Sequence, residues 1–131
     1  MKYLCLVYHD EKQFDALPES EYEAIVSEVL DYREELRQSG HYIASNALEC
    51  VNAATTIRVR SGKVSITDGP FAETREQLGG FYLIEARDLN DAIRVASKMP
   101  PARLGAIEVR PIKEFESPAT VQGSIKIARG A

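Results

Sequence analysis

The sequence predicts an α+β fold in which two helices cover one face of a mainly antiparallel sheet. Residues 3–8 and 81–86 are apolar on both alternating faces, which is typical of interior strands. Each is followed by a segment with apolar residues at helical spacing. Residues 55–67 alternate between apolar and polar side chains around a turn at 61–63, which predicts a β-hairpin with one solvated face.

The two predicted helices have clear ends in the sequence. The first spans about residues 20–39 and stops before Gly40, a residue that favours the left-handed backbone found at helix C-termini. The second begins after Asp88 as its N-cap and cannot continue through Pro100 and Pro101. The predicted apolar stripes are Tyr22, Ile25, Val26, Val29, Leu30 and Leu36 in the first helix, and Leu89, Ala92, Ile93 and Ala96 in the second.

A last strand at residues 106–112 completes the order of elements. A short strand is also indicated at residues 41–44. Apart from the inserted β-hairpin, the order is the βαββαβ plan of the ferredoxin-like fold. Helices on one face leave the other face apolar, which predicts a homodimer that packs sheet against sheet. Residues 1–115 form the predicted domain, and residues 116–131 are predicted to be an extended or flexible C-terminal tail.

Composition excludes several classes of protein. Sixteen basic and twenty acidic residues among 131 give a net charge of −4, which does not favour nucleic acid as a direct partner. No apolar run approaches the ~20 residues of a membrane span, and the N-terminus does not read as a signal peptide. Cys5 and Cys50 lack CxxC spacing, which indicates reduced thiols. We therefore expect a cytoplasmic protein.

One long segment resembles a known family. Residues 68–85 read DGPFAETREQLGGFYLIE, which closely resembles the signature of the YCII-related, or DGPF-domain, family. Residues 1–11, 55–60 and 107–112 resemble the family's first strand, hairpin and last strand. The resemblance implies a dimeric α/β barrel of ferredoxin-like subunits, mostly bacterial, with no agreed biochemical activity. It also implies a link to sigma-factor-dependent regulation, because members are often encoded beside or fused to extracytoplasmic-function sigma factors.

The resemblance does not supply a catalytic pair. Some relatives carry a His/Asp pair, proposed to be catalytic, in a cleft between sheet and helices, with the histidine in the first helix. The first helix predicted here contains no histidine, so that pair cannot be carried over.

Polar residues at strand ends predict a different site. His9 ends the first strand and Asp68 ends the hairpin, and the two would meet at one mouth of the cleft if the hairpin returns the chain toward the first strand. They are the candidate catalytic residues, because a histidine beside a carboxylate suits proton transfer near neutral pH. The candidate ligand-binding residues are Tyr8, Glu73, Arg75 and Tyr82. Alternatively, Asp68 accepts hydrogen bonds from backbone N–H groups of its own turn, and His9 forms hydrogen bonds with backbone groups or water. Residues 73–76 would then form a solvated loop.

The predicted function is the binding of a small organic molecule in this cleft. The alternative is a cofactor-free enzyme that performs proton transfer, isomerisation or elimination with His9 or Asp68 as base. No metal or cofactor is expected, because the two histidines and scattered carboxylates lack ligand spacing. Gly79 and Gly80 lack a phosphate-loop pattern, and they predict either a positive φ or a close approach of backbone.

Overall fold

A computed structural model describes residues 1–115 of the chain. The strands in this range are β1 (Lys2–His9), β2 (Tyr42–Ala47), β3 (Thr55–Arg60), β4 (Lys63–Asp68), β5 (Gln77–Glu85) and β6 (Ala106–Pro111). The α-helices are α1 (Glu11–Asp15), α2 (Glu19–Gln38) and α3 (Leu89–Ser97), with 3₁₀ turns at Val51–Ala53 and Pro100–Arg103. The predicted C-terminal tail lies outside the described residues.

Four strands form the main sheet in the order β2-β5-β1-β6, and every neighbouring pair is antiparallel. When the four strands of the main sheet are counted in chain order, the first (β1) lies between the third (β5) and the fourth (β6). The second (β2) lies at an edge. This is the ferredoxin-like arrangement, so the predicted fold class is confirmed. Strands β3 and β4 pair only with each other, as a separate two-stranded sheet within the described residues.

The two faces of β1 have different surroundings. Tyr3, Cys5 and Val7 are buried on the face that the helices cover. The core on that side is completed by Leu36, Tyr82, Ile84, Ala86, Ala92, Val95, Ala96 and Met99. Leu4 and Leu6 point to the opposite face, which we call the open face, and they are only half-buried. An apolar patch on one side of the sheet is thus left for another surface to cover.

The beginning of the chain contains a helix that the sequence pattern did not indicate. Helix α1 is little more than one turn long, and Asp10 caps it by accepting a hydrogen bond from the Lys12 N–H at 3.0 Å. The end of α2 follows the prediction, because Gly40 adopts a φ of 81° and the His41 N–H donates to the Leu36 carbonyl at 2.9 Å.

The predicted stripe of α3 is partly wrong. Leu89 and Ile93 are 48% and 47% exposed, whereas Asp91 and Val95 are buried. The reason is that the Arg87 N–H and the Arg87 and Arg94 guanidinium groups donate to the Asp91 carboxylate, so it occupies an inward position that apolar periodicity alone assigns to a hydrophobic residue.

The inserted hairpin, β3 and β4 with their turn, is called the arm here. Its two-residue turn has a φ of 52° at Ser61 and 75° at Gly62, as a tight hairpin turn requires. The prediction of one covered face is wrong for the single chain, because the apolar side chains of the arm are 56–66% exposed. These side chains are Ile57, Val59, Val64 and Ile66, which pair across the two strands.

Candidate functional site

A cavity of about 610 Å³ lies between α2 and the main sheet. It exists because α2 packs tightly only near its end, where Leu36 is its one buried residue. The rest of the predicted apolar stripe lines the cavity instead of the core: Tyr22, Ile25, Val26, Val29 and Leu30. The helical periodicity therefore identified the correct face of α2 but not what lies opposite it. A largely apolar space of this size suits a small organic molecule.

His9 lies in the wall of this cavity at the end of β1. Its ring is 4.7 Å from the Phe14 ring, measured between centroids. On another side the ring lies against Gly79, where an added Cβ would be only 2.7 Å from the His9 Nδ1 atom. No hydrogen bond to the ring from residues 1–115 is found. The glycine thus makes room for an imidazole that is positioned by packing, and protein groups in this range do not occupy its nitrogens.

Three carboxylates lie at the same end of the cavity. Glu11, Asp15 and Glu49 line it, and all three raise the pKa of the exposed Cys50 thiol, Glu11 most strongly. The Glu11 carboxylate is held in place because it accepts a hydrogen bond from the Val51 N–H at 3.1 Å. This end of the cavity therefore combines an imidazole with a negative potential.

The other end contains Arg33, Ser45 and Tyr82. Burial raises the pKa of the Tyr82 hydroxyl, and the nearby positive charge of Arg33 opposes that increase. Tyr22 and Arg33 are eleven residues apart on α2, which corresponds to roughly 16 Å along the helix. The cavity is thus elongated, with acidic groups at one end, a basic group at the other and an apolar wall between them.

Two of the predicted site residues, His9 and Tyr82, line the cavity, but they lie at its opposite ends. Asp68, Glu73 and Arg75 are exposed and, within residues 1–115, do not line it, and neither does Tyr8. Asp68 ends β4 opposite Thr55 on the arm, because the hairpin forms its own sheet rather than extending the main one. The catalytic and ligand-binding roles assigned from the sequence stay predictions.

Several residues of the cavity were missed from sequence. Glu11 and Glu49 have no recognisable pattern, because Glu11 begins the one-turn helix α1 and Glu49 lies in the loop after β2. Arg33 could have been found, since it continues the spacing of Tyr22, Val26 and Val29 along one face of α2.

A second polar cluster joins α2 to α3 outside this cavity. The buried Asp91 carboxylate accepts hydrogen bonds from the Arg87 N–H at 3.0 Å and from the Arg94 guanidinium at 2.5 Å. His41 Nε2 is 3.1 Å from the same carboxylate, and His41 Nδ1 is 2.7 Å from the Ser39 hydroxyl. These bonds hold the pKa of Asp91 well below its usual range. His41 directly follows Gly40 after the end of α2, and no local sequence pattern indicates Asp91 as its partner.

Within residues 1–115 no cluster of three or more His, Cys, Asp or Glu side chains is positioned to hold a metal ion. None of the helices there combines the length and the apolar character that a membrane crossing needs.

Comparison with known proteins gives two matches. Residues 1–116 match the YCII-related domain. The chain is also 35% identical, over 118 residues, to a protein from Rhizobium meliloti (strain 1021) named "Uncharacterized protein R00369". That alignment covers 88% of this chain and 95% of the relative. The lining residues named above lie within the matched range 1–116.

Proposed function

Since the chain belongs to the YCII-related domain family, we propose that it binds a small organic molecule in the cavity between α2 and the sheet. The main support for this proposal is the apolar stripe of α2. Five apolar side chains at helical spacing line open space although the helix ends in a packed core. A ligand that covers them gains about 25 cal/mol for each Å² of apolar surface removed from water.

The distribution of polar groups supports the same function. Small-molecule sites are mainly apolar, and a few polar groups at fixed positions orient the ligand. Here His9 and Glu11 lie at one end, and Arg33, Ser45 and Tyr82 at the other. The sigma-factor link implied by the family resemblance stays a prediction, since it concerns a partner rather than this cavity.

Filling the cavity is expected to abolish binding. Val26→Trp places an indole among the apolar side chains that line the space, whereas Ala24→Trp adds the same group on the outer side of α2. The probe is phenylacetamide, a neutral aromatic fragment, followed by NMR of the amide resonances of Gly79 and Gly80. We expect Val26→Trp to weaken binding at least tenfold and Ala24→Trp to leave it unchanged. Equal binding by both variants would show that the probe does not occupy the cavity.

A second candidate function is cofactor-free proton transfer, which the position of His9 in the cavity wall favours. Its ring has no hydrogen-bond partner among the described residues, so it is free to face a bound substrate. Such an enzyme would exchange the α-proton of a bound carbonyl compound for deuterium in D₂O. We expect His9→Asn to remove that exchange. The absence of exchange from a panel of carbonyl compounds that bind the wild-type protein would exclude this function.

We also propose that the protein is a homodimer built on the open face of the sheet. Leu4 and Leu6 form its centre with Leu83 on β5, while Glu108 and Arg110 lie beside them on β6. An apolar centre with a polar rim is typical of protein interfaces. A second copy of the chain presents the same apolar face. Packing the two faces against each other across a two-fold axis gives a closed dimer.

The arm offers the same partner a second apolar surface and a positive charge. Its apolar face is exposed, and an isolated two-stranded hairpin is marginally stable in water. Arg58, Arg60 and Lys63 against the single carboxylate of Asp68 give the arm two surplus positive charges. Because the whole chain has a net charge of −4, the residues outside the arm carry a net charge of −6. The arm of one copy is therefore attracted to the rest of another copy.

A further inference from the structure

We propose that the ligand of the cavity carries an anionic group, a carboxylate or its equivalent, that pairs with Arg33, and that its apolar part lies along α2 toward His9. This inference rests on the proposed binding function and adds the chemical class of the ligand.

Arg33 lies on α2 three residues after Leu30, on the face that lines the cavity, and it is half-buried. Within residues 1–115 it makes no salt bridge and no hydrogen bond. Arg37, one turn later, differs in that it pairs with Glu34 at 3.4 Å and lies 4.8 Å over the Tyr42 ring. Arg33 is therefore an arginine without a counter-ion in the described part of the chain.

The donors of Arg33 reach open space. Among the described residues, no fully buried side-chain nitrogen or oxygen lacks a hydrogen-bond partner. Because Arg33 lacks a protein partner, its guanidinium nitrogens must be accessible rather than sealed. Apolar walls beside this accessible charge reduce its screening by water, so an anion that enters the cavity gains a favourable partner. The planar guanidinium presents two parallel N–H groups that match a carboxylate.

The neighbours of Arg33 complete an anion site. Ser45 and Tyr82 line the same end and carry hydroxyl groups that can donate to an oxygen. The closeness of Tyr82 is supported by the effect of the Arg33 charge on its pKa. Glu11 and Glu49 at the opposite end repel an anion. The two ends therefore determine the orientation, with the charged head at Arg33 and the body against the apolar wall.

The test compares phenylacetate with phenylacetamide, which have the same ring and nearly the same shape but differ in charge. Binding to the full chain is followed by NMR of the cavity amides for the wild type, Arg33→Gln, Arg33→Lys and the control Arg37→Gln. We expect the wild type and Arg37→Gln to prefer phenylacetate about tenfold. Arg33→Gln should lose this preference, so that it binds the two probes with about equal affinity, and Arg33→Lys should keep part of it.

The outcomes separate this inference from the proposed function. If both probes bind in the cavity with equal affinity, or if Arg33→Gln keeps the preference for phenylacetate, the anionic ligand class is wrong while binding in the cavity stands. If neither probe moves the cavity resonances of the wild type, the proposed function itself fails. The amide spectra of the variants also show directly whether each one is folded.

Discussion

Replacing Leu6 by glutamate is expected to turn a dimer into a monomer with the 14.6 kDa of one chain. Leu6 lies at the middle of the open face, opposite Phe81 on β5 and Glu108 on β6. At the centre of a sheet-to-sheet interface, the new carboxylate would be desolvated with its symmetry mate nearby. The cost of an unpaired buried charge is several kcal/mol, which is enough to change the dissociation constant by more than a hundredfold.

Leu89→Glu is the matched control for this prediction. Leu89 is 48% exposed on α3, on the helix-covered side of the sheet, so the same substitution there should leave the dimer intact. Sedimentation or light scattering at micromolar concentration gives the masses of all three proteins. A monomeric wild type, or a Leu6→Glu variant that is still dimeric, would contradict the proposed interface.

Replacing Gly80 by valine should lower the free energy of unfolding by roughly 1–3 kcal/mol. An added Cβ at Gly80 would lie 2.8 Å from the Asn46 carbonyl oxygen and 3.3 Å from the Ala47 Cα atom. Both are backbone atoms of β2, which cannot move away without weakening its pairing with β5. Because Gly80 does not have a positive φ, close approach of the backbone is the reason for a glycine here.

Gly79 provides the comparison for that prediction. A Cβ on Gly79 would meet the ring of His9, which is a side chain that can rotate. Gly79→Ala should therefore cost less stability than Gly80→Val, although it displaces His9 in the cavity. Urea unfolding followed by circular dichroism measures both variants. If Gly80→Val unfolds at the same urea concentration as the wild type, β2 does not approach β5 as closely as described.

The sequence predicted the sheet well because alternation along a strand reports both of its faces. The double apolar pattern of β1 and β5 reflects a helix-covered face and an open face, and this is what the structure has. The helices were harder to predict. Periodicity shows which residues share a face, but it cannot show that α2 borders a cavity or that Asp91 is buried among donors.

The candidate site could be predicted only in part, for a similar reason. His9 was identified because a strand end before a polar segment is visible in one sequence. Its expected proximity to Asp68 depended on where the inserted hairpin goes, and the arm forms its own sheet. Glu11 reaches the cavity through the packing of α1 against the sheet, which no local pattern determines, whereas Arg33 continues the helical spacing of the α2 stripe.

The exposed apolar side of the arm has a consequence for how this protein unfolds. Within residues 1–115 no hydrogen bond ties the arm to the main sheet, because the Thr56 hydroxyl donating to the Gly69 carbonyl and the Gly69 N–H donating to the Ala54 carbonyl only close the base of the hairpin itself. In the proposed dimer, ordering of the arm and association are one linked equilibrium, because the partner supplies the cover that the hairpin lacks. The temperature at which the arm melts then rises with protein concentration, while a lone chain keeps its sheet and loses its arm first.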